Sequence, residues 1–190
     1  MHQVFVAALE LQAAIKETGR PFCFIGGVVL QRWGNPRMTQ DADATVMSAF
    51  VHDEKLIRIF FSRFASRRTD GPAFAQQNRV MLLRASNGVG LDVSLGALDF
   101  ELRATERAVD WSFAKGHTLR ICSADDLIVF KAFASRDQDW ADIKGILMRQ
   151  GKKLRLNQIF EELRPLVALK EDETIVPRLE ALMRQHNVIE

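Results

Sequence analysis

Cysteine is scarce in this chain, with only Cys23 and Cys122 among 190 residues. Each lies in an apolar, strand-like run and neither has a metal-ligand spacing, so buried free thiols in a reducing cytoplasm are expected. Histidine is equally sparse: His2, His52, His117 and His186 are scattered without the spacing of a zinc site. Neither sign of charge is in excess, since 26 Lys and Arg against 24 Asp and Glu leave +2. That balance does not announce a nucleic-acid binder, although it is compatible with a local basic patch. No apolar run approaches the roughly 20 residues needed to span a bilayer. Residues 1–19 are amphipathic and lack the continuous apolar core of a signal peptide. The chain is therefore read as cytoplasmic, with no membrane partner. Internal repeats and low-complexity segments are also missing. What is present is ordinary for a globular protein, 47% hydrophobic and 26% charged, and long enough to bury a real core.

Residues 22–47 organise the rest. Phe22-Cys23-Phe24-Ile25 is a short apolar run with aromatic and β-branched members, and it stops at Gly26-Gly27, where no side chain obstructs approach to the backbone. Val28 to Trp33 then fits a short helix closed by Gly34. The free N–H groups at the start of such a helix point back into the glycine turn, a setting suited to phosphate. From Thr39 the pattern alternates strictly. Thr39, Asp41, Asp43 and Thr45 share one strand face, and Gln40, Ala42, Ala44 and Val46 share the other. Two carboxylates side by side repel, whereas a divalent cation is held by them. Mg²⁺ takes one or two carboxylates together with substrate phosphates, and the upstream glycine turn supplies a place for those phosphates.

Gly26-Gly27 followed, after nine residues, by Arg37-x-Thr39-x-Asp41-x-Asp43 resembles the signature of the polymerase-β-type nucleotidyltransferases. The double glycine with R-x-T-x-D-x-D looks most like the AbiEii-like abortive-infection toxins and their bacterial relatives. In the larger superfamily the second glycine is usually a serine that contacts phosphate. Gly27 departs from that form and leaves the contact to backbone N–H groups.

The remaining chain reads in order. Val4, Ala7, Ala8, Leu11, Ala14 and Ile15 predict an amphipathic helix over residues 3–18, and Leu56, Ile57, Phe60, Phe61 and Phe64 predict another beginning at Asp53. The basic cluster Arg63, Arg67, Arg68 is assigned to the negative C-terminal end of that helix, with nucleic acid as the alternative. Ser86-Asn87-Gly88 joins strand-like runs over 79–84 and 89–95 and predicts a hairpin. In the second run Val89, Leu91, Val93 and Leu95 share a face, leaving Asp92 with Ser94 and Gly90 on the other. An aspartate there is costly unless paired or bound to a cation, and it resembles the family's third carboxylate. Residues 97–101 read as loop, while 109–113 and 118–121 read as short strands. Ser123 with Asp126 forms a capping-box pattern that also accounts for Asp125.

The helix that follows, Leu127 to Ala134, is apolar almost all round, with Lys131 its one charge. An ammonium in that setting must snorkel to solvent or meet an anion. Lys131, Arg136, Asp139 and Asp142 resemble a second AbiEii-like motif, in which the lysine binds nucleotide phosphate and a downstream aspartate belongs to the active site. Asp139 and Asp142 have an alternative reading as an N-cap and a first-turn acid for a helix over 140–150. Beyond Gly151 the chain turns basic, then helical near 157–164 and 174–185, with Pro165 separating the two helices and Pro177 accommodated in a first turn.

The resulting expectation is an α/β (α+β) chain with a nucleotidyltransferase-like mixed, mostly antiparallel β-sheet flanked by helices. A catalytic domain over 1–150 would carry a helical extension over 151–190. The resemblance implies Mg²⁺-dependent transfer of a nucleoside monophosphate from an NTP to an acceptor hydroxyl, on RNA, tRNA or a small molecule. Asp41, Asp43 and Asp92 would be the catalytic, metal-binding carboxylates of a two-metal site. Gly26, Gly27, Arg37, Thr39 and Lys131 would contact nucleotide, and Arg136, Asp139 and Asp142 are further candidates. The resemblance also implies a toxin paired with an antitoxin protein. The rival from outside the enzymes is a nucleotide-binding or protein-interaction module of the same fold with little or no turnover.

Overall fold

The computed structural model describes residues 2–48 and 53–190, so that His52 lies outside the described residues. Internal packing divides the chain into two units, one of residues 1–28 and 38–122, the other of 29–37 and 123–190.

The first unit is built on a mixed sheet. Its strands among the described residues are β1 (Phe22–Ile25), β2 (Asp41–Met47), β3 (Ala65–Ser66), β4 (Val80–Arg84), β5 (Gly90–Gly96), β6 (Val109–Ala114) and β7 (His117–Ile121). They lie in the order β3-β4-β5-β2-β1-β7-β6. β2–β5 and β1–β7 are parallel, and the other neighbours are antiparallel. The period-2 pattern determines which face is buried: Ala42, Ala44 and Val46 of β2 and Leu91, Val93 and Leu95 of β5 are 0–2% exposed. Helix α1 (Gln3–Glu17) buries Val4, Ala7, Ala8, Leu11, Ala14 and Ile15 and packs on β2, β5 and β7. Between β4 and β5 the Asn-Gly turn forms as its sequence requires. Gly88 takes φ +84°, its N–H donates to Ala85 O at 2.9 Å, and Val89 N–H donates to the Asn87 side chain at 3.2 Å. Cys23 and Cys122 are both buried.

Helices α3 (Asp53–Arg63), α4 (Gly71–Asn78) and α5 (Asp99–Glu106) complete this unit, with α2 (Gly26–Trp33) running from its last residues into the second unit. The loop expected over 97–101 is instead the start of α5. Its signal was weak because the N-cap position is Leu98, and the capping acceptor is Glu101, whose Oε2 takes the N–H groups of Ala97 and Leu98 at 2.9 and 3.0 Å.

The second unit is helical: α6 (Ala124–Ala134), α7 (Asp137–Gln150), α8 (Leu156–Lys170) and α9 (Ile175–Gln185). α6 is apolar around its circumference because α7, α8 and α9 all pack on it. Ser123 caps it, accepting Asp126 N–H at 3.1 Å and donating to Asp126 Oδ2 at 2.6 Å. α7 starts at Asp137, three residues before the position expected. Pro165 does not divide two helices but lies inside α8, which continues to Lys170 and ends where Glu171 adopts φ +56°. No helix among the described residues is long and apolar enough to cross a membrane.

Candidate active site

The two halves of the glycine–aspartate motif lie against each other in the first unit. β1 and β2 pair antiparallel with Ile25 opposite Asp43, so the glycines that follow β1 fall alongside the start of β2. Gly26 has φ +68°, a backbone open to glycine at little cost, and a Cβ there would collide with the Asp43 carboxylate, whose Cγ would be 2.8 Å away. At Gly27 a Cβ would stand 2.5 Å from Thr39 Oγ1. Thr39 in turn donates to Asp41 O at 3.2 Å. Glycine at 27 and threonine at 39 are thus matched in volume, which gives a physical reason for the missing serine.

β5 brings the third carboxylate. It runs parallel to β2 with Asp92 opposite Asp43 and Gly90 opposite Asp41, so Asp41, Asp43 and Asp92 occupy one face of two adjacent strands. Farther along that face Thr45 donates to Glu101 of α5 at 3.1 Å, so one end is covered by a helix while the other presents the aspartates. Gly90 is a second enforced glycine, since a Cβ there would strike Asp41 Oδ1 and lie 2.7 Å from Arg67 Nη1.

Arg67 is the residue that sequence reasoning placed elsewhere. α3 ends at Arg63, which pairs with Glu17 at 2.5 Å, and Arg68 pairs with Asp70 at 2.7 Å. Between them, β3 pairs with β4 and the Arg67 N–H donates to Leu82 O at 3.0 Å. The Arg67 guanidinium therefore reaches the aspartates: Nη2 pairs with Asp92 Oδ1, and Nη1 stands 3.4 Å from Asp41 Oδ1. Its Nε is buried without a hydrogen-bond partner. Burial pushes the Asp92 carboxyl above the ordinary carboxylate value; the Asp41 charge adds to this and Arg67 opposes it without cancelling it. An open depression of about 550 Å³ is lined in part by His2, Met38, Thr39, Asp41, Arg67 and Arg84, so that of the three aspartates it is Asp41 that borders it.

Among the described residues no three His, Cys, Asp or Glu side chains form a ready-made metal-binding group. The donor set nonetheless suits a hard cation, because carboxylate oxygens share one strand face and the positive group now between two of them is a guanidinium.

The remaining candidates belong to the second unit and bind one another. Lys131 Nζ donates to Asp139 Oδ1 at 3.1 Å and to Asp142 Oδ2 at 2.7 Å, with all three side chains 3–5% exposed. Arg37 grips Asp142 through two hydrogen bonds of 2.9 and 3.0 Å, and Arg136 Nε donates to Asp139 at 2.6 Å. Both carboxyls lie below the usual range: burial works against their charge, and hydrogen bonds from Arg136 and Lys131 to Asp139, and from Arg37, Lys131 and Gln138 to Asp142, outweigh it. Lys131 neither snorkels nor stands alone, because the anions it meets are protein carboxylates. Asp139 also accepts the Arg136 backbone N–H at 3.3 Å, but Arg136 is the N-cap of α7, so Asp139 is a first-turn acid and not the N-cap of a helix from residue 140, and Asp142 lies beyond the first turn.

No family model matches the chain, and no curated protein matches it. Among solved structures it is similar to the antibiotic-resistance factor ANT(2'')-Ia, with 16% identity over 96% of each chain and a TM-score of 0.49. It is also similar to an antigenic nucleotidyltransferase-like protein from Paracoccidioides brasiliensis, with 17% identity over 94% of this chain and 90% of that one and a TM-score of 0.44. A third similarity is to JHP933 from Helicobacter pylori, with 12% identity over 98% of this chain and 93% of that one and a TM-score of 0.42. Likeness at this level leaves the chemistry to be argued from the side chains themselves.

Proposed function

We propose that this protein is a nucleotidyltransferase that moves a nucleoside monophosphate from an NTP to an acceptor hydroxyl. The observation that carries the reading is the register of β2 with β5, which puts Asp41, Asp43 and Asp92 on one strand face, beside a double glycine whose missing side chains make room for Asp43 and Thr39. Asp41 and Asp43 would hold Mg²⁺, with Asp92 as a further ligand. When bound, the ion would neutralise charge on the triphosphate and on the entering and leaving oxygens. The chain's own groups have separable tasks. The backbone at Gly26 and Gly27 admits phosphate closely, and Asp92 would receive the proton of the acceptor hydroxyl. Arg37 and Lys131 are engaged by Asp139 and Asp142, so a phosphate role for either requires exchange of those partners.

The lining of the 550 Å³ depression bears on the acceptor. Arg67 and Arg84 stand there against a single carboxylate, Asp41, which favours a phosphate-bearing acceptor such as RNA over a polyamine-like small molecule. A toxin held by an antitoxin partner is one setting for such an activity. A second reading, a binding module without turnover, is favoured by one observation: Arg67 already supplies a cation to Asp41 and Asp92.

Incubation of the protein with labelled NTPs and Mg²⁺, against total RNA and small acceptors, tests the proposal. The expected result is label in RNA, abolished by D41N/D43N. In parallel, NTP with Mg²⁺ raises the melting temperature of the wild type and not of the double variant. A thermal shift that depends on Asp41 and Asp43 without label transfer would select the binding module. A shift that survives D41N/D43N would move nucleotide binding elsewhere.

A further inference from the structure

We propose that Arg67 is a built-in counter-ion that makes cation binding at the three aspartates depend on nucleotide. The inference rests on the nucleotidyltransferase reading of that site and adds a residue and a coupling to it. Arg67 is fixed at its backbone by the hydrogen bond to Leu82 O and at its tip by Asp92 and Asp41. Gly90 makes the arrangement possible, since a side chain there would occupy the space of both Asp41 Oδ1 and Arg67 Nη1. With 22% of its side chain exposed, Arg67 is sheltered enough for its charge to matter, and it lines the open depression that Asp41 borders.

The fork is only partly satisfied. A guanidinium offers five N–H donors, and a buried donor with no partner is costly, yet the Arg67 Nε is buried with none. Once detached from the carboxylates, Nη1 and Nη2 would need acceptor oxygens in their place. Phosphate presents several such oxygens, and a planar fork suits it.

A divalent cation arriving alone must detach the guanidinium from Asp41 and Asp92 and leave it without an anion. Arriving with a triphosphate, the same cation takes the carboxylates while phosphate oxygens take the guanidinium. Cation and nucleotide thereby strengthen each other, and the coupling is equal in both directions.

Mn²⁺ serves as the probe, with free ion measured by electron paramagnetic resonance on the full chain, with and without a non-hydrolysable NTP analogue. The proteins compared are wild type, R67M, R67K and D41N/D43N, each checked for fold by circular dichroism. R67M is expected to bind Mn²⁺ alone about five- to tenfold more tightly than wild type, the scale of a partly exposed charge pair removed. R67K, which keeps the charge and loses the fork, is expected to stay near wild type for Mn²⁺ alone. The gain in Mn²⁺ affinity on adding the analogue should be largest in wild type and fall in R67M. Equal or weaker Mn²⁺ binding by R67M, with an unchanged gain from the analogue, would overturn the role of Arg67 while leaving the metal site intact. Mn²⁺ binding that ignores D41N/D43N in every background would overturn the site itself and this inference with it. If R67M fails to fold, R67K with analogue present carries the test, since loss of the fork should reduce the analogue's effect and an unchanged effect would refute the proposal.

Discussion

Replacing Lys131 by methionine removes one ammonium from a buried cluster and keeps most of the side-chain volume. The geometry predicts a large effect on stability. Lys131 is shared between Asp139 and Asp142 at 3.1 and 2.7 Å, and all three side chains are almost fully buried. Breaking a buried pair from one side costs about 3–5 kcal/mol when the remaining charge is left uncompensated. Here each carboxylate keeps an arginine, Arg136 on Asp139 and Arg37 on Asp142, which puts the expected loss at roughly 2–3 kcal/mol. That is a substantial part of the total stability of a domain, about 5–15 kcal/mol. Urea unfolding at neutral pH measures it as a lower midpoint with an unchanged slope.

The sign with pH follows from the two carboxyls. Both are held below their ordinary values, so their contribution to stability is complete above the unfolded-state value of about 3.9 and is lost as pH falls through the folded-state values. Acid should therefore narrow the gap between K131M and wild type, because protonation removes the charge that the variant leaves uncompensated. Adding D139N to K131M should recover part of the loss at neutral pH for the same reason. A loss below about 0.5 kcal/mol, the range of an ordinary surface change, or a gap that does not narrow in acid, would refute the account of Lys131 as a structural counter-ion.

Two further outcomes are expected. Because burial raises the Asp92 carboxyl, the folded state holds that proton more tightly than the unfolded chain, and the associated stability is present in acid and falls as pH rises through the folded value. D92N should flatten this dependence and leave the ligand-free protein at least as stable as wild type at pH 7; a lower melting temperature would mean that the pair with Arg67 outweighs burial. In α8, exposed Pro165 has no N–H to offer the preceding turn, so P165A should stabilise by about 1–2 kcal/mol in urea unfolding, the helix gain less the entropy proline removes from the unfolded chain. No gain would show that packing around α8 requires the proline.

Much of the fold was legible because its signals are local. The alternation in β2 and β5 set which face is buried, Asn87-Gly88 set the hairpin, and Ser123 with Asp126 set the start of α6. What could not be read depended on partners distant in sequence. α5 begins behind Leu98, whose capping is done by Glu101 from within the helix. Pro165 looked like a boundary because a lone proline is expected to end a helix, yet Leu163, Leu166 and Val167 are buried on either side of it and hold α8 together. Lys131 looked unpaired because its carboxylates lie on the next helix, and only the packing of α7 on α6 brings them to it.

The site divides along the same line. Gly26-Gly27 and Thr39-x-Asp41-x-Asp43 could be read as one motif because antiparallel pairing returns β2 alongside β1, with Gly26 against Asp43 and Gly27 against Thr39. Asp92 could be found because a lone acid in an apolar strand needs a partner, although which strand supplied the partner came from the parallel register of β5 with β2. Arg67 had no such signature. It follows a strand of two residues, too short to show alternation, and its direction is set by the pairing of β3 with β4. The physical demand for it was nonetheless present in the sequence. Three carboxylates on one face of two adjacent strands repel one another, and in the ligand-free fold Arg67 relieves part of that repulsion at Asp41 and Asp92. If the proposed metal role holds, Arg67 is also the group a metal ion would displace, and the stability of the empty site and the affinity of the filled one would then be opposing consequences of a single side chain.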